Sequence, residues 1–125
     1  MTGLVLDAGA LIAFERGERK IEVLLRQAIR RSFPIVVPAG VVAQVWRDGR
    51  KQARLGQFLA KPNVTVIPLD DATARACGQL CGFRDTNDVI DASVVVCAES
   101  RRSPVVTSDP DDLRHLDSKL ELIEI

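Results

Sequence analysis

Residues 4–12 read Leu4-Val5-Leu6-Asp7-Ala8-Gly9-Ala10-Leu11-Ile12, and this stretch decides the fold. The apolar run at 4–6 is typical of a buried strand, and the segment 8–16 that follows suits a helix. Asp7 therefore lies at the carboxyl end of the predicted first strand. A strand that passes directly into a helix is the repeating unit of α/β proteins.

Helical patterns recur along the rest of the chain. Pro38 suits the first turn of the segment 38–60, and Gly49 is a candidate break within that segment. Asp70 or Asp71 suits the cap of a helix that begins near Ala72. The predicted helical segments are 20–31, 38–60, 70–82 and 87–101, with a short one after Asp109.

Short β-branched runs separate these helical segments and predict further strands. They are Ile35–Val37, Val64–Ile67, Val105–Thr107 and, as a weaker alternating pattern, Leu120–Ile125. The alternation predicts an α/β layer structure with a mainly parallel sheet. In such sheets, functional sites gather at the carboxyl ends of the strands.

Composition limits the function classes. The 125 residues suit a single domain spanning 1–125, and 46% hydrophobic with 27% charged residues is typical of a soluble globular protein. The net charge is zero, so any binding of nucleic acid must depend on local patches. Three cysteines and one histidine favour neither a disulfide scaffold nor a structural zinc site. The sequence has no basic leader and no membrane-length apolar run, so we expect a cytoplasmic protein with no membrane partner.

Acidic residues occupy the predicted strand ends. Asp7 follows the first strand and Asp109 follows Val105–Thr107, although each also suits the N-cap of the next helix. Asp88 and Asp91 are three residues apart and share one face of a helix start. A helix dipole alone favours Asp88 there, whereas Asp91 lies in an apolar segment where a buried carboxylate needs a partner.

These acids together predict a metal site. Asp7, Asp91 and Asp109 would repel one another at one edge of the sheet, and no basic residue is adjacent to Asp7 or Asp91 in sequence. Mg²⁺ and Mn²⁺ prefer sites in which all the ligands are oxygen atoms. Such an ion activates water for attack on a phosphodiester.

The chain resembles the PIN-domain family, and more narrowly the bacterial VapC-type toxins. The resemblance rests on motifs whose order and spacing match the family: Val5 to Ile12, Val37-Pro38-Ala39 with Val42 to Arg47, Asp88 to Ala92, and Val106 to Leu113. It implies a three-layer α/β/α sandwich with a central, mainly parallel five-stranded sheet of order 3-2-1-4-5. It also implies a Mg²⁺- or Mn²⁺-dependent endoribonuclease, a homodimer and a VapB-type antitoxin partner.

The resemblance also implies roles for individual residues. Asp7, Asp91 and Asp109 match three acidic positions of the family, and Asp88 and Asp112 match nearby positions that are often acidic. Together these five residues are the predicted metal ligands. Thr107 and Ser108 match hydroxyl residues beside the last acid, and we expect them to contact nucleic acid.

One position departs from the family pattern. The usual glutamate on the helix after the second strand corresponds to Gln44, which offers an amide oxygen but no charge. We include Gln44 among the catalytic residues, where it would orient a water or bind metal weakly. Asp48 lies four residues on and is a candidate substitute, although a solvated acid beside Gly49 is the simpler interpretation.

A basic face is predicted for the phosphate backbone. Arg47, Arg50, Lys51 and Arg54 share one face of a helix if Gly49 does not break it. A solvated charged face is the alternative. Trp46 is a candidate for stacking on a base or for packing in the core or a dimer.

Three function classes follow from these observations. The first is a toxin ribonuclease that hydrolyses RNA with metal-activated water. The second is a catalytically weakened PIN-like module that binds nucleic acid or a partner, which Gln44 favours. The third, a receiver-like phosphoacceptor, lacks the required acid after the third strand and the lysine after the fifth.

Overall fold

A parallel five-stranded sheet forms the centre of the molecule, whose computed structural model describes residues 3–125. Every pair of neighbouring strands is parallel, and the order is β3-β2-β1-β4-β5, which confirms the predicted topology. The strands are β1 (Leu4–Leu6), β2 (Ile35–Pro38), β3 (Val64–Ile67), β4 (Val105–Thr107) and β5 (Leu122–Glu124).

Helices connect successive strands and cover the sheet as an α/β/α sandwich. Among residues 3–125 they are α1 (Ala8–Glu15), α2 (Arg19–Arg30), α3 (Ala39–Val45), α4 (Ala53–Leu59), α5 (Asp71–Arg84), α6 (Val89–Arg101) and α7 (Pro110–Leu116). The α6 helix packs against α5, α7 and the strands β1 and β2. None of the helices in this part of the chain is long and apolar enough to span a membrane.

Strand β1 lies in the middle of the sheet, with β2 on one side and β4 on the other. Val5 is opposite Val36 in β2 and opposite Val105 in β4, and all three side chains are buried. Because the strands are parallel, their carboxyl ends meet at one edge of the sheet. This edge receives Asp7 from β1 and Asp109 from the loop after β4.

The helical segment predicted at 38–60 is divided in two, which confirms the candidate break at Gly49. Helix α3 ends at Val45 and α4 begins at Ala53, so the chain is not helical around Gly49. Asp70 caps α5 by accepting a hydrogen bond from the Thr73 N–H at 2.8 Å, as one of the two predicted alternatives has it. The last strand is shorter than predicted, because only 122–124 pair with β4.

Candidate active site

Asp7 serves the fold and the site at once. It follows β1 and is the N-cap of α1, where its Oδ1 accepts a hydrogen bond from the Ala10 N–H at 2.9 Å. The residue is 7% exposed. Burial raises the pKa of Asp7 above its ordinary value, and the nearby charge of Asp109 adds to this effect. Its second oxygen is not used by the cap.

Thr107 links the two strand-end acids. Its hydroxyl oxygen accepts a hydrogen bond from the Asp109 N–H at 2.9 Å. Its side chain also forms a hydrogen bond with Asp7, which lowers the pKa of Asp7 and offsets part of the effect of burial. Thr107 is fully buried. The predicted contact of Thr107 with nucleic acid is therefore wrong, because the side chain has no surface to offer; it positions the two acids instead.

Asp88 and Asp91 lie together at the start of α6. Asp88 is the N-cap and its Oδ1 accepts a hydrogen bond from the Asp91 N–H at 2.9 Å. Asp91 is half-buried rather than fully buried as its apolar neighbours suggested. Burial first, then the charges of Asp88, Asp112 and Asp7, raises the pKa of Asp91 to about 7.

Asp109 stands at the N-cap of α7, with Pro110 following it in the first turn. The predicted capping bond is absent, since its side chain caps no N–H of α7. The side chain is exposed, and the charge of Asp112 is the main reason that the pKa of Asp109 is raised. Its oxygens are therefore not used by the cap, and a side-chain hydrogen bond with Asp112 also contributes to the raised pKa.

We call the residues linked by these charge interactions the acidic cluster: Asp7, Asp88, Asp91, Asp109 and Asp112. None of them forms an ion pair with a lysine or arginine of residues 3–125. Carboxylate oxygens without a compensating base suit a hard divalent cation such as Mg²⁺ or Mn²⁺. In the described part of the chain, however, no three acidic, histidine or cysteine side chains converge into a finished metal site. A cation would have to draw the carboxylates of the cluster inward.

Gln44 is not tied to the acidic cluster. It is an exposed residue near the end of α3, and among the described residues its side chain makes no hydrogen bond to any of the acids. Asp48 does not continue the same helical face, because it lies in the loop after α3 and accepts a hydrogen bond from the Arg50 N–H at 3.0 Å. The proposed substitution of Asp48 for a glutamate at position 44 thus loses its geometric basis.

The predicted basic face does not exist as one helical surface. Arg47, Arg50 and Lys51 lie in the α3–α4 loop, and only Arg54 is in α4. Arg47 donates to the carbonyls of Ala43 and Trp46 at 3.0 and 2.7 Å.

The remaining arginines of this group are also engaged. Arg54 pairs with Glu22, donates to the Phe14 carbonyl at 2.7 Å and lies over the Phe14 ring. Arg50 is 3.7 Å from Asp48. Most of these charged side chains therefore contact groups of the protein itself, because the chain leaves the helical path around Gly49.

Gly9 and Ser108 form a contact that the sequence did not predict. A Cβ at position 9 would overlap the Ser108 hydroxyl, and that same point is 3.4 Å from Asp7 Oδ1. Ser108 therefore sits against the first turn of α1, beside the acidic cluster, only because residue 9 is glycine. The small residues directly after Asp7 were the available sequence signal.

Sequence comparison identifies a family. The family described as PIN domain matches residues 4–119, which is nearly the whole chain. A search of curated protein sequences gives no significant match.

Several solved structures share the fold at low sequence identity. VapBC2 from Rickettsia felis, bound to a DNA fragment from its promoter, aligns with a TM-score of 0.75 and 13% identity over 98% of each chain. DNA-bound VapBC from Salmonella typhimurium aligns with a TM-score of 0.73 and 16% identity over 99% of this chain and 98% of that chain. A toxin–antitoxin complex from Klebsiella pneumoniae aligns with a TM-score of 0.70 and 17% identity over 98% of this chain and 100% of that chain. At these identities the likeness establishes the fold alone.

Proposed function

Because the chain belongs to the PIN-domain family, we propose that it is a metal-dependent endoribonuclease and the toxin of a VapBC-type toxin–antitoxin pair. The acidic cluster is the observation that carries this proposal. Its carboxylates lie at the carboxyl edge of the sheet, where ligands bind in α/β folds. Burial first, and then the charges of the neighbouring carboxylates, raises the pKa of Asp91 to about 7, as expected for a site that a cation neutralises.

Asp7, Asp91 and Asp109 are the catalytic acids of this proposal. They would hold Mg²⁺ or Mn²⁺, with Asp88 and Asp112 at its margin. A bound ion of this kind lowers the pKa of water and stabilises charge on a phosphodiester. Thr107 fixes the distance between Asp7 and Asp109, and Asp88 fixes the start of the helix that carries Asp91. Ser108 lies exposed beside Asp7, where its hydroxyl can donate to a phosphate oxygen.

The partners of the proposal come from the relatives. The structures from Rickettsia felis, Salmonella typhimurium and Klebsiella pneumoniae are VapBC or toxin–antitoxin complexes. We therefore expect a VapB-type antitoxin to bind this chain and to cover the acidic cluster. A homodimer is expected as well, since two-fold dimers are the commonest closed assemblies.

A cleavage assay tests the proposal. The purified chain is incubated with structured and single-stranded RNA in Mn²⁺, Mg²⁺, Zn²⁺ or EDTA, beside the Asp7→Asn variant prepared in the same way. We expect cleavage with Mn²⁺ or Mg²⁺ that EDTA and Asp7→Asn abolish. Cleavage that persists in the variant would come from a contaminating ribonuclease and would count against the proposal.

A catalytically weakened binding module is the second candidate, and the exposed, uncharged Gln44 favours it. This candidate predicts RNA or antitoxin binding without cleavage at any concentration of Mn²⁺. The same assay, followed by a gel-shift measurement with uncleaved RNA, separates the two functions.

A further inference from the structure

A cavity of about 310 Å³ adjoins the acidic cluster on the side of α1 and α2. Gly9 and Ser108 form the border between the two, since both line the cavity and both lie beside Asp7. A molecule that reaches the cluster along this side must pass over these two residues. The cavity is therefore continuous with the proposed site.

Two cations line this cavity and have no partner in the part of the chain that the structure describes. Arg16 and Lys20 are exposed, and within residues 3–125 neither side chain has an ion pair or a hydrogen bond. The arginines of the α3–α4 region differ, because Arg47 and Arg54 donate to carbonyls or pair with an acid. Cationic side chains without a partner among residues 3–125 therefore lie on the α1–α2 side, in a cavity that borders the acidic cluster.

The rest of the lining defines the kind of ligand. Ile12 and Ile125 contribute apolar surface, and Ile12 is 39% exposed. Of the side chains that line the cavity, Arg16 and Lys20 are cationic and Glu18 is the one that is acidic. Cations next to apolar surface suit a sugar–phosphate unit, whose phosphate is anionic and whose ribose and base have apolar faces.

We propose that this cavity is a subsite for the RNA strand, in which Arg16 and Lys20 bind the backbone phosphate next to the one that is cleaved. The inference rests on the proposed ribonuclease function and assigns its substrate path. The strand would run from the acidic cluster over Gly9 and Ser108 into the cavity. A bulkier residue at position 9 would displace Ser108 and narrow this path.

The test measures RNA binding without cleavage. Fluorescence anisotropy with a short single-stranded RNA in EDTA is recorded over a range of salt for the parent, Arg16→Ala, Lys20→Ala and the double variant. Arg19→Ala is the matched control, because Arg19 has the same charge, precedes Lys20 directly and is not part of the cavity lining. Thermal denaturation checks that each variant folds, which we expect for exposed side chains.

We expect the double variant to weaken binding about tenfold and to reduce the slope of log Kd against log salt by about 0.7, the value for one neutralised phosphate on a single strand. Arg19→Ala should change binding less than about twofold, as a surface charge outside the contact does. Equal effects of Arg19→Ala and Lys20→Ala would overturn the subsite, since only the general field would then matter.

Other outcomes locate the failure. If the parent cleaves RNA and the double variant keeps the parental Kd and salt slope, the subsite is wrong and the proposed function stands. If the parent neither binds nor cleaves RNA, the proposed function fails and the subsite with it. If the double variant binds RNA normally but loses its antitoxin, the cavity is a protein contact and the RNA assignment is overturned.

Discussion

The backbone N–H of Asp91 donates a 2.9 Å hydrogen bond to the side chain of Asp88, so one acid caps the helix that carries the other. This bond holds two carboxylates close together at the start of α6. Burial and the charge of Asp88 are the two largest causes that raise the pKa of Asp91 to about 7. The fold therefore maintains a repulsion that a cation or a proton can relieve.

Asp91 should make stability depend on pH. Its pKa is higher in the folded protein than the ordinary 3.8 of an unfolded chain, so the folded state binds the extra proton and stability falls as pH rises from about 4 to 7. We expect Asp91→Asn to raise the free energy of unfolding at pH 8 by about 1–2 kcal/mol, a discounted value because the carboxyl is half exposed. Urea denaturation in EDTA measures this. The gain should vanish at pH 4, and an equal gain at both pH values would contradict the assignment.

The same proton should compete with metal. If Asp91 must lose it to bind a cation, Mn²⁺ affinity should rise about tenfold per pH unit between pH 5 and 7 and level off above. Calorimetry in buffers of different ionisation enthalpy would also detect the released proton. Affinity that is flat across this range would exclude Asp91 as a ligand.

Two substitutions at Asp7 separate its cap from its charge. Asn keeps an oxygen that can accept from the Ala10 N–H, so Asp7→Asn should fold like the parent and yet lose Mn²⁺ binding and RNA cleavage. Ala removes the cap as well, and Asp7→Ala should lower the free energy of unfolding by about 1 kcal/mol relative to Asp7→Asn. Calorimetry, cleavage and urea denaturation are compared for both. Mn²⁺ binding that survives in Asp7→Asn would remove Asp7 from the site.

Gln44→Glu tests whether position 44 takes part. If it does, the added charge should tighten Mn²⁺ binding several-fold and increase cleavage at low metal, because ligand charge controls the binding of hard cations. Gln57→Glu is the matched control, since Gln57 is an exposed glutamine of α4 outside the acidic cluster. No difference between the two variants in a metal titration would mean that position 44 lies outside the site.

Gln52 should control the α3–α4 loop. Its Oε1 accepts from the N–H groups of Arg47 and Asp48 at 2.7 and 2.9 Å, while its Nε2 donates to the carbonyl of Val45 at 3.0 Å and to the carboxylate of Glu15. Gln52→Glu keeps the acceptor but removes both donations, and we expect a loss of about 1–3 kcal/mol in urea denaturation.

A double variant provides the control for this loop prediction. Adding Glu15→Gln to Gln52→Glu exchanges donor and acceptor, so part of the lost stability should return. If Gln52→Glu is no less stable than the parent, Gln52 is not the residue that orders the loop.

The position of Asp7 at the sheet edge was predictable, because a buried apolar run that ends in an acid has a strong local pattern, whereas the strand order followed from the family resemblance. The partners of the arginines were not predictable. Arg54 pairs with Glu22, which is distant in sequence, so its partner depends on how α2 and α4 pack. Asp91 falls between these cases, since its neighbours indicated burial but its half-buried state depends on α6 meeting the sheet edge. Thr107 was misread for the same reason, because no local pattern distinguishes a buried hydroxyl from one at the surface.

The central position of β1 also sets when the acidic cluster can exist. Asp7 is synthesised before β4, the neighbour that brings Asp109 to it, and β4 lies about 100 residues later in the chain. At about 5–20 residues per second, ribosomes need roughly 5–20 s to make the intervening chain. An unfinished chain therefore carries the first acid without the last. The acidic cluster is therefore complete only after β4 and the start of α7 have been made, about 100 residues after Asp7.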